Sequence, residues 1–148
     1  MTVIAKRELL YLGGTFGFAA WLAGLFFIER DAKGKAGKAL NNVMEELKKK
    51  DIKLWVFPEG TRRNTGEIHD FKKGAFHAAI QAQVPIVPVV FSSYKHFFDS
   101  KKKMFNEGEV IITALPEIST IGMTAEDVNE LLKITRNAMI KKYHETST

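Results

Sequence analysis

Short apolar runs alternate with stretches of helical periodicity along most of the chain, and this alternation restricts the fold more than any other feature. It predicts an α/β class, with a mixed sheet flanked by helices. Val3-Ile4-Ala5 is an apolar run that stops at charge, as the end of a strand lying inside a sheet would. Residues 16–23 read as a short helix, apolar on most sides, and residues 25–28 as a buried strand. Residues 34–50 predict an amphipathic helix with Ala36, Leu40, Val43 and Leu47 on one face. Lys48, Lys49 and Lys50 fall in its last turn, where cations favour the helix dipole. A strand is expected over 54–57, ended by the turn residues Pro58-Glu59-Gly60. Next come a helix over 74–83 with Phe76, Ala79 and Ile80 inward, and an apolar strand over 84–91. Pro85 and Pro88 remove ladder donors, so that strand starts late or runs near an edge. A strand over 110–114 and a helix over 124–143 complete the pattern. Thr124 and Asp127 resemble a capping box, and Val128, Leu131, Leu132, Thr135 and Met139 form the buried stripe.

With 148 residues the chain is long enough for one domain with a core, and no linker divides it. Apolar residues at 45% and charged residues at 26% are those of a folded globular protein. The absence of cysteine excludes a disulfide framework, a thiol nucleophile and a thiolate metal site; it fits an intracellular or membrane-face location. No ligand-like cluster of acids and histidines predicts a metal. The formal charge of +5 favours anionic partners. Nucleic acid is not expected, because the lysines at 48–50 and 101–103 sit at helix ends and loops outside any recognised motif. Residues 9–28 are uncharged and reach about the 20 residues that span a bilayer. Gly13, Gly14, Gly17 and Gly24 interrupt them, which argues for a short helix and a strand instead. Phe16, Phe18, Trp21 and Leu22 either contact an acyl chain or the membrane face, or belong to plain core.

The segment Phe57-Pro58-Glu59-Gly60-Thr61-Arg62 carries the most chemistry. A strand runs into a tight turn with a carboxylate, a glycine, a hydroxyl and a guanidinium whose planar fork suits phosphate. Strand ends are where α/β sheets place ligands. Read alone, the segment is equally a surface turn with a solvated arginine.

The string FPEGTR resembles the signature of the glycerophosphate and lysophosphatidate acyltransferase family. Other segments agree in order: Ala5-Lys6-Arg7-Glu8-Leu9 with K-x-E-L, and Gly24-Leu25-Phe26-Phe27-Ile28-Glu29-Arg30 with G-x-x-F-I-D-R, Glu29 replacing Asp. Phe71-Lys72-Lys73-Gly74-Ala75-Phe76 is similar to F-K-x-G-A-F, and Val84-Pro85-Ile86-Val87-Pro88-Val89 to V-P-I-V-P. The resemblance spans residues 3–145. It implies the glycerol-3-phosphate acyltransferase-like fold and transfer of an acyl group from acyl-CoA to the free hydroxyl of lysophosphatidate. The product is phosphatidate, in phospholipid biosynthesis at a membrane, by family likeness the endoplasmic reticulum. No cofactor is expected beyond acyl-CoA as co-substrate.

The resemblance further assigns Lys6, Arg30, Glu59, Gly60, Thr61 and Arg62 to the substrate phosphate. A solvated strand end for Lys6, and an ion pair of Arg30 with Asp31 or Glu59, are the structural readings beside it. Glu59 is expected to orient an arginine or a backbone amide rather than react, and Gly60 to serve the turn.

Acyl transfer to an alcohol needs a base, which the family supplies from H-x-x-x-x-D. None of the four histidines here fits: His69 is followed five places on by Gly74, His77 by Ala82 and His96 by Lys101, and His144 lies too close to the end. His96 and Asp99 would meet only if a helix carried both; His77 reads as a helix-surface or semi-buried structural residue. The chain is therefore expected to be a single partial domain, the C-terminal portion of the family fold with no catalytic residue of its own, and to leave a sheet edge open to aggregation. A non-catalytic phospholipid- or membrane-binding module is the second reading.

Overall fold

A computed structural model describes residues 2–6, 11, 14–28, 44–61, 63 and 65–147, with backbone only for residues 4–6 and 26–28. Three parallel strands form the N-terminal sheet, in the order β2 (Phe26–Ile28), β1 (Thr2–Lys6), β3 (Leu54–Trp55). Lys6 lies opposite Ile28, and Val3 opposite Trp55. The first apolar run is thus an internal strand, as its sequence predicts. Between β1 and β2 runs helix α1 (Thr15–Leu22). Residues 44–49 are also helical; Leu47 is buried, and Lys48 Nζ donates to Ala82 O at 2.6 Å. The rest of the helix expected from residue 34 lies outside the described residues.

The C-terminal part is built on α2 (Gly74–Ala82) and α3 (Val128–Thr146). Phe71, Phe76, Ile80, Val128 and Leu131 form its core, with Leu132 and Met139 partly buried against it. Both helices bury the stripes that their periodicity marks. A 3-10 turn, Ala125–Asp127, leads into α3, and the capping box is present. Asp127 accepts from the Thr124 amide at 2.6 Å, and Glu126 N donates to Thr124 Oγ1 at 3.4 Å. The Thr124 amide, then its hydroxyl, hold the Asp127 carboxyl below the ordinary carboxylate range.

Strand β4 (Val89–Phe91) pairs antiparallel with β7 (Ile112–Ala114). It begins directly after Pro88, and only a single bridge, Ile86 to Ile118, forms earlier. That late start follows from the donors that Pro85 and Pro88 lack.

Two features depart from the sequence reading. Among the described residues the strands form three separate groups, not one mixed sheet: β2-β1-β3, β4-β7, and a hairpin of β5 (Phe98–Asp99) and β6 (Met104–Phe105). The class remains α/β. The edge contact between β3 and β4 is made by side chains, with the Trp55 and Phe91 rings 6.2 Å apart. The hairpin replaces the only helix that would have brought His96 and Asp99 together. His96 lies in the turn before it, against Phe97. Asp99 instead accepts from Lys101 N (2.9 Å) and Lys102 N (3.3 Å). The Lys102 amide, then that of Lys101, keep its carboxyl below the usual range.

Candidate functional site

Because β1, β2 and β3 are parallel, their C-terminal ends share one sheet edge. Lys6 ends β1, and Pro58 stands as far beyond the Val3–Trp55 pair as Lys6 does. The Glu59-Gly60-Thr61 turn therefore emerges beside the end of β1. Arg30, two residues past the end of β2, and Arg62, next after Thr61, lie outside the described residues. For Lys6 the structure gives the backbone alone.

The turn itself is well defined. Gly60 N donates to Phe57 O at 3.1 Å, and Gly60 has φ +67°, a conformation strained for any residue with a Cβ. Lys72 N donates to Pro58 O at 2.8 Å, which closes the loop that follows. Glu59, half-buried, accepts from His69 N at 3.2 Å. Its carboxylate thus orients a backbone amide, one of the two roles expected of it. Thr61 is exposed.

The loop between the turn and α2 is fastened from the C-terminal part. Arg136 Nε donates to His69 O and an Arg136 terminal nitrogen to Ile68 O, both at 3.0 Å; Asp70 lies 3.5 Å from the same guanidinium. Tyr143 Oη donates to Gly66 O at 2.8 Å. Lys95 Nζ donates to Thr65 O, and Thr65 Oγ1 pairs with His69 Nε2 at 2.5 Å. Phe71 then enters the core, stacked on Phe76 with ring centroids 6.1 Å apart. Arg136, Tyr143 and Lys95 were not legible as site residues. Each acts on carbonyl oxygens far away in sequence, and no local pattern encodes such a bond.

This fastening makes a prediction. Arg136→Ala should cost about 1–3 kcal/mol of stability through two lost bonds from a charged donor. Amide exchange of residues 66–70 should rise while that of α2 stays slow. Unchanged exchange across the loop would show that Arg136 does not hold it.

Of the histidines, His69 is occupied by Thr65, while His77 is exposed on α2, as its sequence reading has it. Among the described residues no three acids and histidines group as metal ligands.

Helix α1 presents a second surface. Gly17 and Ala20 are buried, whereas Phe16 (66%), Phe18 (60%), Trp21 (57%) and Leu22 (65%) are largely exposed. Among the described residues they are surface, so the plain-core reading does not hold. The helix is apolar all round, and composition alone gives no sign of which side is covered.

Comparison with known proteins agrees with the motifs. The Acyltransferase family model matches residues 1–92. The chain is 46% identical over 145 residues to human 1-acyl-sn-glycerol-3-phosphate acyltransferase alpha, covering 98% of this chain and 51% of the human one. The Saccharomyces cerevisiae 1-acyl-sn-glycerol-3-phosphate acyltransferase is 40% identical over 146 residues, covering 97% of this chain and 48% of its own length. Among solved structures, the 1-acyl-sn-glycerophosphate (LPA) acyltransferase PlsC of Thermotoga maritima superposes with a TM-score of 0.70 at 27% identity. That match covers 97% of this chain and 56% of the bacterial one. The chain spans about half the length of the curated relatives it matches.

Proposed function

This chain belongs to the acyltransferase family, and from that premise we propose that it carries the acceptor side of a lysophosphatidate acyltransferase. The reaction moves an acyl group from acyl-CoA to the free hydroxyl of lysophosphatidate, giving phosphatidate and CoA. The observation that carries the reading is the Glu59-Gly60-Thr61 turn, with Gly60 at positive φ, at the C-terminal edge of parallel strands, beside the end of β1. Lys6 ends β1, Arg30 and Arg62 follow β2 and β3 in sequence, and three cations there would suit a doubly charged phosphate. Gly60 supplies the positive-φ turn, and Thr61 offers its hydroxyl. Glu59 helps to hold the loop through its bond from His69 N.

A base must still take the acceptor's proton, and the chain has no His-x-x-x-x-Asp. The second reading, favoured by the exposed aromatic face of α1, is a phospholipid-binding module without turnover. The deciding experiment follows acyl-CoA-dependent conversion of lysophosphatidate by the 148-residue chain, beside lysophosphatidate binding. Binding without conversion supports the acceptor module. Conversion would make His69, His77 or His96 the base, to be found by single substitution. A chain that neither binds nor converts lysophosphatidate would refute both readings.

The exposed face of α1 supports membrane contact, through aromatic side chains suited to the interface. Among the described residues no helix is long and apolar enough to cross a membrane, so contact rather than spanning is the role proposed for α1. Replacing Phe18 and Trp21 by serine should weaken co-sedimentation with phosphatidate-containing vesicles about tenfold or more. Equal sedimentation of variant and parent would remove α1 from the contact. An endoplasmic-reticulum location rests on the family likeness and is tested by imaging the tagged chain in cells.

A further inference from the structure

The Lys72 side chain lies across the face of Gly60. A Cβ built on Gly60 would stand 2.9 Å from Lys72 Cδ and 3.0 Å from its Cε and Nζ. Those atoms are the far end of a flexible side chain that can swing aside, so it is the +67° backbone angle that requires glycine here, while the Lys72 stem and ammonium lie against its open face. The Lys72 backbone is fixed by its own bond to Pro58 O, so the side chain starts from a defined point. Lys72 is exposed, and its stem and ammonium both lie beside the turn. The nearby carboxylate of Glu59 accepts from His69 N. Among the described residues no carboxylate lies within ion-pair distance of Lys72.

We propose that Lys72 is a further cation of the acceptor site, lying beside the Gly60 turn and donating to the phosphate of the lysophospholipid. The inference rests on the acceptor-site reading above and extends it to a residue outside FPEGTR. A lysine suits this place, since a compact, hydrated ammonium on a flexible stem follows a phosphate as it enters and leaves.

The test compares the parent chain with Lys72→Met, Lys72→Arg and Arg62→Ala, using a short-chain lysophosphatidate below its aggregation threshold. Methionine keeps an apolar stem over Gly60 and removes the charge. Lys72→Met should bind about tenfold more weakly, as for one lost charged hydrogen bond, with an unchanged melting temperature. Lys72→Arg should stay within about threefold of the parent. Affinity of the parent should also fall more steeply with ionic strength than that of Lys72→Met. Parental affinity and salt dependence in Lys72→Met, with binding lost in Arg62→Ala, would overturn the role of Lys72 and leave the acceptor site standing. If the parent itself failed to bind, both would fall.

Discussion

Arg62→Ala should abolish measurable binding of lysophosphatidate, a loss of about a hundredfold or more. The guanidinium can give two parallel hydrogen bonds to a phosphate, and each bond to a charged partner contributes about 1.5–3 kcal/mol. Arg62 follows Thr61 directly, past a turn fixed at Gly60 and held from behind by His69 and Lys72. That backing matters because a long side chain on a loose turn would spend much of its binding energy on ordering itself. Arg62→Lys should recover only part of the loss, since an ammonium is a point charge without the fork. The readout is a binding isotherm at fixed ionic strength, with thermal melting to show that the fold is intact. Parental affinity in Arg62→Ala would sink the phosphate assignment.

The second large effect concerns stability. Leu131 is fully buried where α3 packs against α2, among Phe71, Phe76, Ile80 and Val128. Leu131→Ala should cost about 3 kcal/mol, from lost transfer energy plus the cavity left behind. Leu131→Met, close in volume, should cost under about 1.5 kcal/mol. Ile134, on the same helix but 46% exposed, supplies the control: Ile134→Ala should change stability by about 0.5 kcal/mol or less. Denaturant titration would measure all three. Equal losses at 131 and 134 would mean that the α2–α3 core does not carry the fold. A chain weakened at Leu131 should also bind lysophosphatidate more weakly, because α3 carries the arginine that holds the loop.

What could be read from the sequence divides along physical lines. Local chemistry was legible. Pro88 delays β4, Thr124 and Asp127 cap α3, and the stripe through Val128, Leu131 and Thr135 is the buried one. These signals depend on a few neighbouring residues, and neighbours are what a sequence displays. The signature turn was legible for the same reason, since strand, turn and glycine are contiguous.

Non-local geometry was not. The hairpin of β5 and β6 has two-residue arms and turns through Lys103 at φ +51°, without the glycine or asparagine that marks such turns. Helix α1 gives no amphipathic stripe, so nothing in its pattern separates Gly17 and Ala20 from the exposed aromatics. Trp55 and Phe57 occur in one apolar run, yet Phe57 is 67% exposed because the chain turns immediately after it. The partition of the strands into separate groups depends on pairing, and apolar alternation does not specify partners. Arg136 reaches back 68 residues to Ile68, a distance over which no spacing rule operates.

The family match ends at residue 92, while Lys95, Arg136 and Tyr143 all come later. The stretch matched by the family model is therefore shorter than the mechanical unit, although the human relative aligns over 98% of the chain. A chimera that grafted only residues 1–92 onto another scaffold would inherit every signature letter and none of those three fasteners. Its FPEGTR turn would keep the bonds made by Gly60, His69 and Lys72, but the loop at 65–70 would hold its shape poorly, whereas a graft extended to residue 146 would bring its own frame. For swapping acceptor preference between relatives, the sensible cut lies after α3 rather than at the edge of the motif.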